Sequence, residues 1–416
     1  MHSLSAVRRL RDFRLLLAGT TAGTLGMQMQ TTAVGWELYE RTHSALALGM
    51  VGLVALLPIV ALTLPAGHAV DTLDRRSLLI AAQALFTVAW LGLAAVSWWH
   101  GPLWTLYGCV LLGGIARAFQ GPLRSAILPS IVPSDLLATA ITVQSADWQI
   151  AAVVGPAAAG MLIAATGSAA PVYLCAAAGA LVFLVATTRL HYRQVDRPPS
   201  TLTLNALVAG VKFVVHARLI LGALTLDLFA VLLGGATTLL PIYAKDILHV
   251  GAAGLGWMNA ADSIGAIATA IWLGTRPPMR RAGRTLLFAV FGFGVATLVF
   301  GVSRSFALSM AALIVLGATD MVSVVVRQTL VPLVTPDDMR GRVGAVNSLF
   351  IGTSNQLGGF ESGVVAQAFG PVASVVSGAI GTMLVVGLVA WHWPEIRRLG
   401  ALSEVAIVPP ETLVAD

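Results

Sequence analysis

Long apolar runs follow one another from end to end of this 416-residue chain, each interrupted by a short polar segment. A helical run of about 18 to 20 residues crosses a hydrocarbon core of about 30 Å, because each residue rises about 1.5 Å. Twelve spans are predicted, near residues 13–37, 45–69, 77–99, 103–126, 139–165, 171–189, 219–243, 251–274, 285–302, 306–329, 343–366 and 371–393. The pattern therefore predicts an all-α integral membrane protein.

The amino-acid composition also indicates a membrane protein and argues against a soluble or nucleic-acid-binding one. Hydrophobic residues make up 57% and charged residues 11% of the chain, whereas a soluble domain has roughly 25% charged residues. The net charge of +6 does not indicate a nucleic-acid partner, because the basic residues lie between the apolar runs instead of forming one patch. Cys109 and Cys175 fall inside apolar runs, where cysteine packs as a small apolar residue. No metal-ligand spacing is present, so no metal or cofactor is expected.

The distribution of positive charge orients the spans. With a cytoplasmic N-terminus, 19 of the 25 basic residues lie in cytoplasmic segments. Cytoplasmic loops retain arginine and lysine, so both termini are predicted to be cytoplasmic. Arg11 and Arg14 lead directly into the first span, and no cleavable signal is expected. The basic residues outside this rule are Arg41, Lys245 and Arg304 in outer segments, and Arg117, Arg124 and Arg327 within spans.

The two halves of the chain are related by an offset of 203 residues. A polar stripe at i, i+3 and i+7 in the fourth run, which lies on one helical face, recurs in the tenth run. Matched pairs are Arg117 and Asp320, Gln120 and Ser323, Arg124 and Arg327, Pro129 and Pro332, Asp135 and Asp338, Gly155 and Gly358, and Gly160 and Gly363. A duplicated unit is therefore predicted, with six-helix bundles at residues 1–190 and 219–393.

Residues 191–218 are predicted to be a cytoplasmic linker between the bundles. Within them one helical face would carry Leu204, Leu207, Val208, Val211, Val214 and Val215, with Asn205, Lys212 and His216 opposite. Two interpretations of this segment are possible: it is an amphipathic helix on the inner membrane surface, or it is a helical linker without a membrane role. Residues 394–416 are predicted to be a cytoplasmic tail, without an assigned fold.

The segment between the second and third spans joins a glycine to acids and arginines. Its members are Gly67, Asp71, Asp74, Arg75 and Arg76. Glycine permits close helix approach, and a carboxylate beside arginines can hold helix ends by charge-assisted hydrogen bonds. The segment resembles the signature loop of the major facilitator superfamily, in the form found in the branch of enterobactin-exporter-like transporters and transmembrane secretion effectors. The alternative is a positive-inside loop with a solvated acid pair.

Two further motifs resemble those of the superfamily. Arg117 is followed by Gln120 and a glycine, as in the motif that the family associates with proton coupling. The alternative is a structural arginine satisfied by backbone carbonyls of neighbouring helices. Gly155, Pro156 and Gly160 resemble the motif of the family's antiporters, and generic helix packing is the open alternative.

The resemblance covers nearly the whole chain, including residues 11–14, 36–48 and 320–363. It implies a major facilitator fold of two pseudo-symmetric bundles that rock about a central site. It also implies a monomer in the bacterial inner membrane. Drugs or siderophore-like metabolites are the substrates that the resemblance suggests.

Ionisable residues recur deep within the spans. Counted from the predicted cytoplasmic ends, four lie roughly 12 to 14 Å deep at 1.5 Å per residue; they are Arg117, Asp147, Asp227 and Asp320. Asp262 lies deeper. Repeat symmetry predicts that Arg117 and Asp320 face each other. In one interpretation a buried aspartate, preferably Asp227 or Asp320, carries a proton inward while Arg117 pairs with it or with substrate. In the other, these charges pair permanently within each half and only orient helices.

Uncharged polar residues and inner helix ends complete the candidate residues. Substrate contacts are predicted at Gln28, Gln30, Trp36, Gln120 and Asn259, with helix–helix hydrogen bonding as the alternative. A latch of the outward-facing state is predicted at Gly67, Asp71, Asp74, Arg75, Arg76, Arg124 and Arg327.

Other function classes are disfavoured by what the sequence lacks. There is no GxxxxGK[ST] loop, so ATP-driven transport within this chain is not expected. The 8 histidines are scattered, which argues against a membrane-embedded metalloenzyme. We therefore predict a proton-coupled exporter, an antiporter of small amphipathic molecules. An importer or uniporter of a small solute and a non-transporting membrane sensor remain the alternatives.

Overall fold

The computed structural model describes residues 6, 7, 9–191, 204–277, 279–337 and 339–402, without the side chains of Ser125, Leu204, Asn205 and Leu207. Asp338, predicted to match Asp135, lies outside these residues. The N-terminal half folds into α1 (Arg11–Thr42), α2 (Ala45–Thr72), α3 (Arg75–Trp98), α4 (Leu103–Ile131), α5 (Leu137–Thr166) and α6 (Ala170–Thr188). Each coincides with one predicted span. The all-α prediction is confirmed.

The second half begins with α7 (Leu204–His216) and α8 (Arg218–Leu233) and is also helical. It continues with α9 (Gly251–Gly274), α10 (Ala282–Val302), α11 (Phe306–Val334), α12 (Arg340–Phe369), α13 (Pro371–His392) and α14 (Pro394–Arg398). Among the described residues, 8 helical segments are long and apolar enough to cross a membrane. Apart from the span predicted at 219–243, boundaries differ from the predicted spans by a few residues, most at the C-terminal ends of α1, α4 and α11.

The predicted span at 219–243 is not one regular helix. After α8 ends, Gly234 and Gly235 break the helix, and the chain continues as a 3-10 turn (Ala236–Leu239), a short α-helical turn (Leu240–Ile242) and a π-helix (Tyr243–Ile247). The break packs against α12, since a Cβ added at Gly235 would lie 2.6 Å from the backbone oxygen of Gly358. Two glycines allow backbone to approach backbone here, which tolerates the irregular segment at membrane depth.

The described chain divides into two compact units. Unit 1 comprises residues 1–43, 54–201 and 250–260, and unit 2 comprises residues 44–53, 202–249 and 261–416. The short segments 44–53 and 250–260 therefore group with the opposite half from the one in which they were predicted.

Both units pack their helices in the same pattern. In unit 1, α6 lies against α1 and α3, α4 lies against α3, and α5 lies against α1. In unit 2, α13 lies against α8 and α10, α11 lies against α10, and α12 lies against α8. The offset of 203 residues converts the first set into the second. The duplication read from the sequence is therefore a duplication of packing.

Glycine crossings reproduce this equivalence at the level of single residues. A Cβ added at Gly155 of α5 would lie 2.6 Å from the Cβ of Gln28, and one added at Gly358 of α12 would lie 2.6 Å from the backbone oxygen of Val231. Gly155 matches Gly358, and Gln28 matches Val231, under the same offset. The small residue is therefore needed in each unit, because the helix axes approach too closely for a side chain.

The linker helix α7 buries a different face from the one predicted. Phe213 and Val214 are 1% and 3% exposed and belong to the apolar core of unit 2. Val208, Val211 and Val215, predicted on the same face as Val214, are instead exposed. The predicted apolar stripe is thus divided between the protein core and the surface. The side chains of Leu204, Asn205 and Leu207, which belonged to that prediction, lie outside the described residues.

The beginning of the predicted tail is structured. Helix α14 is followed by a segment that returns to the start of α10, where the backbone N–H of Ala282 donates to the carbonyl of Gly400 at 2.9 Å. The first turn of a helix has amide groups without intrahelical partners, and this segment satisfies one of them. Arg218 and Glu395 form an ion pair at 3.0 Å beside it. This docking was not predicted.

Candidate functional site

A buried ion pair joins α8 to α11 in unit 2. Arg327 contacts the Asp227 carboxylate through Nη1, and the two side chains are only 8% and 9% exposed. The Arg327 Nε also donates to the backbone oxygen of Ser323 at 3.4 Å. A buried charge without a partner costs several kcal/mol, so each residue requires the other. The pairing lies within one unit, as in the prediction of permanent pairs, whereas a latch role for Arg327 stays a prediction.

Two more of the predicted carboxylates lie in the electrostatic neighbourhood of this pair. The charge of Asp320 interacts with those of Arg327 and Asp227, and the charge of Asp262 interacts with that of Asp320. Helix α9 approaches α11 closely enough for this, since a Cβ added at Gly317 would lie 2.6 Å from the Asp262 Oδ1. In unit 2 Arg327 is therefore in contact with Asp227 and interacts with Asp320, while Asp262 interacts with Asp320.

In unit 1, Asp147 of α5 is held against Thr21 of α1. The Thr21 Oγ1 lies 2.5 Å from Asp147 Oδ1 and 2.8 Å from the backbone oxygen of Leu17. The other carboxylate oxygen, Oδ2, is buried and has no hydrogen-bond partner among the residues that the structure describes. Asp147 is therefore anchored by one oxygen, while the other is free to take a proton or a cationic partner.

Arg124 of α4 is the positive charge that acts on Asp147. The two charges interact electrostatically, yet within the described chain no nitrogen of Arg124 comes within 4.0 Å of a carboxylate oxygen. Arg124 is the repeat equivalent of Arg327, which is in direct contact with its aspartate. Sequence reasoning placed Arg124 among the latch residues and Asp147 among the proton-coupling residues. It missed their proximity, because nothing in the repeat predicts a partner on α5.

Arg117 differs from the other deep charges. Its side chain is exposed, and it makes no hydrogen bond or ion pair with any residue in the described ranges. Arg117 belongs to unit 1 and Asp320 to unit 2, and their predicted facing arrangement stays a prediction.

Depth along the helices departs from the single layer that the sequence suggested. Measured at 1.5 Å per residue from the helix ends that are predicted to be cytoplasmic, Arg117 and Asp320 lie roughly 21 Å along α4 and α11, whereas Asp147 and Asp227 lie roughly 15 and 14 Å along α5 and α8. The difference arises because α4 and α11 extend to Ile131 and Val334, beyond the predicted edges. The four residues therefore lie at two depths, Arg117 with Asp320 and Asp147 with Asp227, and only the first of these pairs is a repeat-equivalent pair.

The predicted substrate contacts are partly buried polar groups. Gln28, Gln30, Trp36 and Gln120 are of intermediate exposure, and their side chains make no hydrogen bond within the part of the chain that the structure describes. Asn259 instead donates from Nδ2 to the backbone oxygen of Leu255 at 3.1 Å. The first four keep their hydrogen-bonding capacity for another partner, which stays a prediction.

Two glycine crossings link α5 to the start of α9 and α2 to the end of α12. A Cβ added at Gly160 would lie 2.8 Å from the Cα of Gly256, and one added at Gly363 would lie 2.7 Å from the Cα of Gly49. Pro156 takes part in the first crossing, because its backbone oxygen would lie 2.5 Å from a Cβ on Gly256. Gly155, Pro156 and Gly160 thus all lie at helix contacts, and an antiporter role for them stays a prediction.

The acidic and basic loop between α2 and α3 binds helix ends within unit 1. Asp74 caps α3, accepting a hydrogen bond from the backbone N–H of Ser77 at 2.7 Å. Hydrogen bonding from Ser77 lowers the pKa of Asp74 below its ordinary value. Arg75 is buried and donates from Nε to the backbone oxygen of Val70 at 3.1 Å. These contacts fix the loop as a cap, which is the local role of a charged residue at a helix end.

Arg76 extends this capping to the end of α6. It donates to the backbone oxygens of Thr187, at 3.4 Å, and of Thr188. Carbonyls in the last turn of a helix lack intrahelical partners and favour a positive charge. A latch role for this loop, formed by Gly67, Asp71, Asp74, Arg75 and Arg76, stays a prediction.

A buried polar network at the other end of unit 1 was not assigned a role from sequence. The Tyr173 hydroxyl donates to Glu37 Oε2 at 2.8 Å, Arg41 pairs with Glu37 Oε1 at 3.3 Å, and Arg41 also donates to the Gly101 carbonyl at 2.6 Å. Unit 2 makes a related tie, in which the Tyr243 hydroxyl donates to the Gly301 carbonyl at 2.8 Å. In unit 1 the end of α1 is thus tied to the loop before α4, and in unit 2 the segment after α8 is tied to the last turn of α10.

Long apolar helices, duplicated packing and charged side chains held inside the helices are features of a multi-pass membrane transport protein. The family and the relatives that this chain matches are transporters and not enzymes. Among the described residues no three histidine, cysteine, aspartate or glutamate side chains are placed to hold a metal ion. The family model described as transmembrane secretion effector matches residues 3–414. The chain belongs to this family, which is of the major facilitator type.

Two curated relatives match over almost their full length. The chain is 27% identical over 413 residues to the multidrug efflux pump Tap of Mycobacterium tuberculosis, covering 95% of this chain and 96% of the relative. It is 24% identical over 416 residues to the enterobactin exporter EntS of Escherichia coli, covering 100% and 98%. Both relatives are named as exporters.

Solved structures share the fold at low sequence identity. A POT family transporter in complex with 5-aminolevulinic acid superposes with a TM-score of 0.75 at 12% identity, covering 93% of this chain and 96% of that one. A bacterial homologue of the human lysosomal transporter Spinster, in an inward-facing conformation, superposes with a TM-score of 0.70 at 15% identity, covering 94% and 99%. At these identities the likeness shows a transporter fold alone.

Proposed function

We propose that this protein is a proton-coupled exporter of small amphipathic molecules in the bacterial inner membrane. In this proposal twelve spans form two six-helix bundles with both termini cytoplasmic, and the bundles rock to expose a central site alternately to each side. The equal internal packing of the two units supports this, because rigid equivalent bundles are the moving parts of such a cycle. A monomer is sufficient for it, and nucleic acid has no part in it.

Proton coupling is supported by one observation: in unit 2 the carboxylates inside the helices outnumber the arginines inside the helices that could neutralise them. In unit 2 Arg327 is in contact with Asp227, whereas Asp320 interacts with this pair from a distance and Asp262 interacts with Asp320. Among the described residues neither Asp262 nor Asp320 is in contact with an arginine, so one guanidinium does not balance all three carboxylates. A carboxylate in a low-dielectric site without a full complement of positive charge takes up a proton. Uptake and release of that proton from opposite sides would drive the exchange of substrate.

Export of amphipathic compounds is supported by the relatives and by the polar groups in the spans. Tap and EntS are named as an efflux pump and an exporter, and their resemblance extends over the whole chain. Partly buried amides such as Gln28 and Gln120 offer hydrogen bonds without net charge. Such groups suit molecules that are mainly apolar and carry a few polar atoms.

Flux measurements in proteoliposomes test the proposal. Purified protein is reconstituted, a pH gradient is imposed with the substrate-accepting side alkaline, and accumulation of a fluorescent amphipathic dye is followed. We expect accumulation that collapses when a protonophore is added. Dye movement that only follows its own gradient would indicate a uniporter, and saturable binding without movement would indicate a sensor. An Arg117→Ala variant tests whether the exposed arginine takes part.

A further inference from the structure

We propose that Asp147, with Thr21 and Arg124, is the proton-carrying site of unit 1, and that the Asp227–Arg327 pair of unit 2 is a permanent structural pair. The inference rests on the proposed proton-coupled transport and names the group that binds the proton. It differs from the sequence prediction, in which Asp227 or Asp320 was the preferred carrier.

The hydrogen bonding of Thr21 suits both protonation states of Asp147. A hydroxyl has one proton to donate and can also accept. With Asp147 ionised, the Thr21 hydroxyl donates to Oδ1, 2.5 Å away. With Asp147 protonated, the carboxylic O–H donates to Thr21 Oγ1, and the threonine hydroxyl turns to the Leu17 carbonyl, 2.8 Å away. The hydrogen bond between Thr21 and Asp147 is kept in both protonation states, so Asp147 can bind and release a proton without breaking the packing of α1 on α5.

The second carboxylate oxygen and Arg124 provide the alternative partner. Oδ2 is buried and unpartnered among the described residues, and an unsatisfied buried oxygen of an ionised carboxylate is costly. Arg124 interacts with Asp147 electrostatically without touching it. Ionisation of Asp147 would draw the guanidinium to Oδ2, and protonation would release it. Proton occupancy is thereby converted into a movement of a side chain on α4 relative to α5.

The repeat supplies an internal comparison. Arg124 and Arg327 occupy equivalent positions, yet Arg327 is in contact with Asp227 and both are less than a tenth exposed. Asp227 is already neutralised by a contacting guanidinium that has no other acid in contact with it in the described chain. Release of that pair would leave two buried charges, which is expensive. Asp147 instead keeps one oxygen without a hydrogen-bond partner among the described residues, and Arg124 interacts with it without being in contact.

The surroundings of Asp147 contain few other charges. Asp147 is the only charged residue of α5, which packs on α1, on α6 and, near its outer end, on residues 251–260. The charged residues of α1 lie in its end segments, α6 has only Tyr173 and Cys175 as titratable groups, and residues 251–260 have none. The charged residues of α4 are Arg117 and Arg124, and the charge of Arg124 interacts with that of Asp147. Proton binding here is therefore opposed or assisted chiefly by arginines.

The proton balance is simple. A water-borne proton from the acidic side adds to the Asp147 carboxylate, giving a neutral acid and freeing Arg124. After the bundles change access, the acid O–H bond breaks, the proton passes to water on the alkaline side, and the carboxylate regains its charge and its attraction for Arg124. No other reactant is needed, and each cycle moves one proton through this site.

Asp147→Asn in the dye-accumulation assay is the test. We expect loss of the response to the imposed pH gradient, while exchange of external for internal dye without a gradient persists. Thr21→Val, which keeps shape but cannot hydrogen-bond, is expected to change the pH dependence of transport, and Thr21→Ser to restore it. A pH-dependent carboxylic-acid C=O band in difference infrared spectra should be present in the wild type and absent in Asp147→Asn.

The matched control is the double variant Asp227→Asn/Arg327→Gln, which removes both charges of the contacting pair in unit 2 and leaves Asp147, Thr21 and Arg124 unchanged. It is expected to keep the pH-gradient response. Retention of the full response and of the infrared band in Asp147→Asn would overturn the assignment, as would loss of the response in a folded double variant alone. A wild type without any pH-gradient response would instead refute the proposed function, which separates the two failures.

Discussion

Removal of one partner from the buried ion pair of unit 2 gives the sharpest prediction about stability. Arg327→Leu would leave Asp227 about nine-tenths buried without its counter-ion. Breaking such a pair by removing one charge costs about 3–5 kcal/mol, because the remaining charge has lost both water and partner. The Arg327 Nε contact with the Ser323 carbonyl is lost as well, and this adds to the effect of the charge.

Removal of both partners should behave differently. Asp227→Leu/Arg327→Leu replaces two desolvated charges by apolar side chains in an apolar core, a change that ranges from neutral to a stabilisation of roughly 1–4 kcal/mol. The double variant is therefore expected to be more stable than either single variant. The two effects are strongly non-additive, because the residues are in contact.

Unfolding in mixed micelles with increasing fractions of SDS, followed by circular dichroism, measures these free energies. Arg124→Leu is the matched control on the equivalent position of unit 1, where no ion-pair contact exists among the described residues, and it is expected to cost less than Arg327→Leu. A free energy of unfolding for Arg327→Leu within about 0.5 kcal/mol of the wild type would contradict the cost assigned to the unpaired Asp227 charge. A double substitution that costs the sum of the two single ones would contradict it as well.

Three other outcomes follow from the geometry. Gly160→Leu should abolish folding or transport while Gly108→Leu does not, because a Cβ at Gly160 meets the backbone of Gly256 and one at Gly108 meets nothing within 4 Å; monodispersity and dye flux report it. Asp74→Ala should cost about 1 kcal/mol at neutral pH. Since the folded-state pKa of Asp74 is lowered, the part due to its charge is present above the unfolded pKa of about 3.9 and is lost as the pH falls through the folded value, so stability measured against pH should converge with that of Asp74→Asn. Tyr173→Phe should destabilise unit 1 by about 1–3 kcal/mol, since it leaves a buried Glu37 oxygen without its donor; an unchanged unfolding midpoint would refute this.

Local patterns predicted most of the helices. The apolar runs placed α9 at Gly251–Gly274 and most other helices to within a few residues, because membrane-spanning length is imposed by the bilayer. They did not predict the break at Gly234 and Gly235. An isolated glycine pair in an apolar run is common, and only the approach of Gly358 from α12 explains why the helix ends there.

The sequence predicted which residues belong to the candidate site, but it did not predict which of them are in contact. Deep charges are conspicuous in an apolar sequence, and Arg117, Asp147, Asp227, Asp262 and Asp320 were all found in that way. Their partners depend on how the helices pack, and the repeat alone would predict the wrong partners. It makes Arg124 and Arg327 equivalent, whereas their aspartates come from non-equivalent helices.

The sequence by itself determined that this protein is helical, membrane-spanning and duplicated, since hydrophobic length and an offset of 203 residues are properties of the chain alone. The tertiary structure alone decided that Arg327 is in contact with an aspartate, whereas Arg124 contacts no carboxylate among the described residues. It also decided that the linker buries Phe213 and Val214 in unit 2. The physical reason is that charge neutralisation inside a bilayer requires contact within a few ångströms, and helix packing sets such distances between residues far apart in the chain.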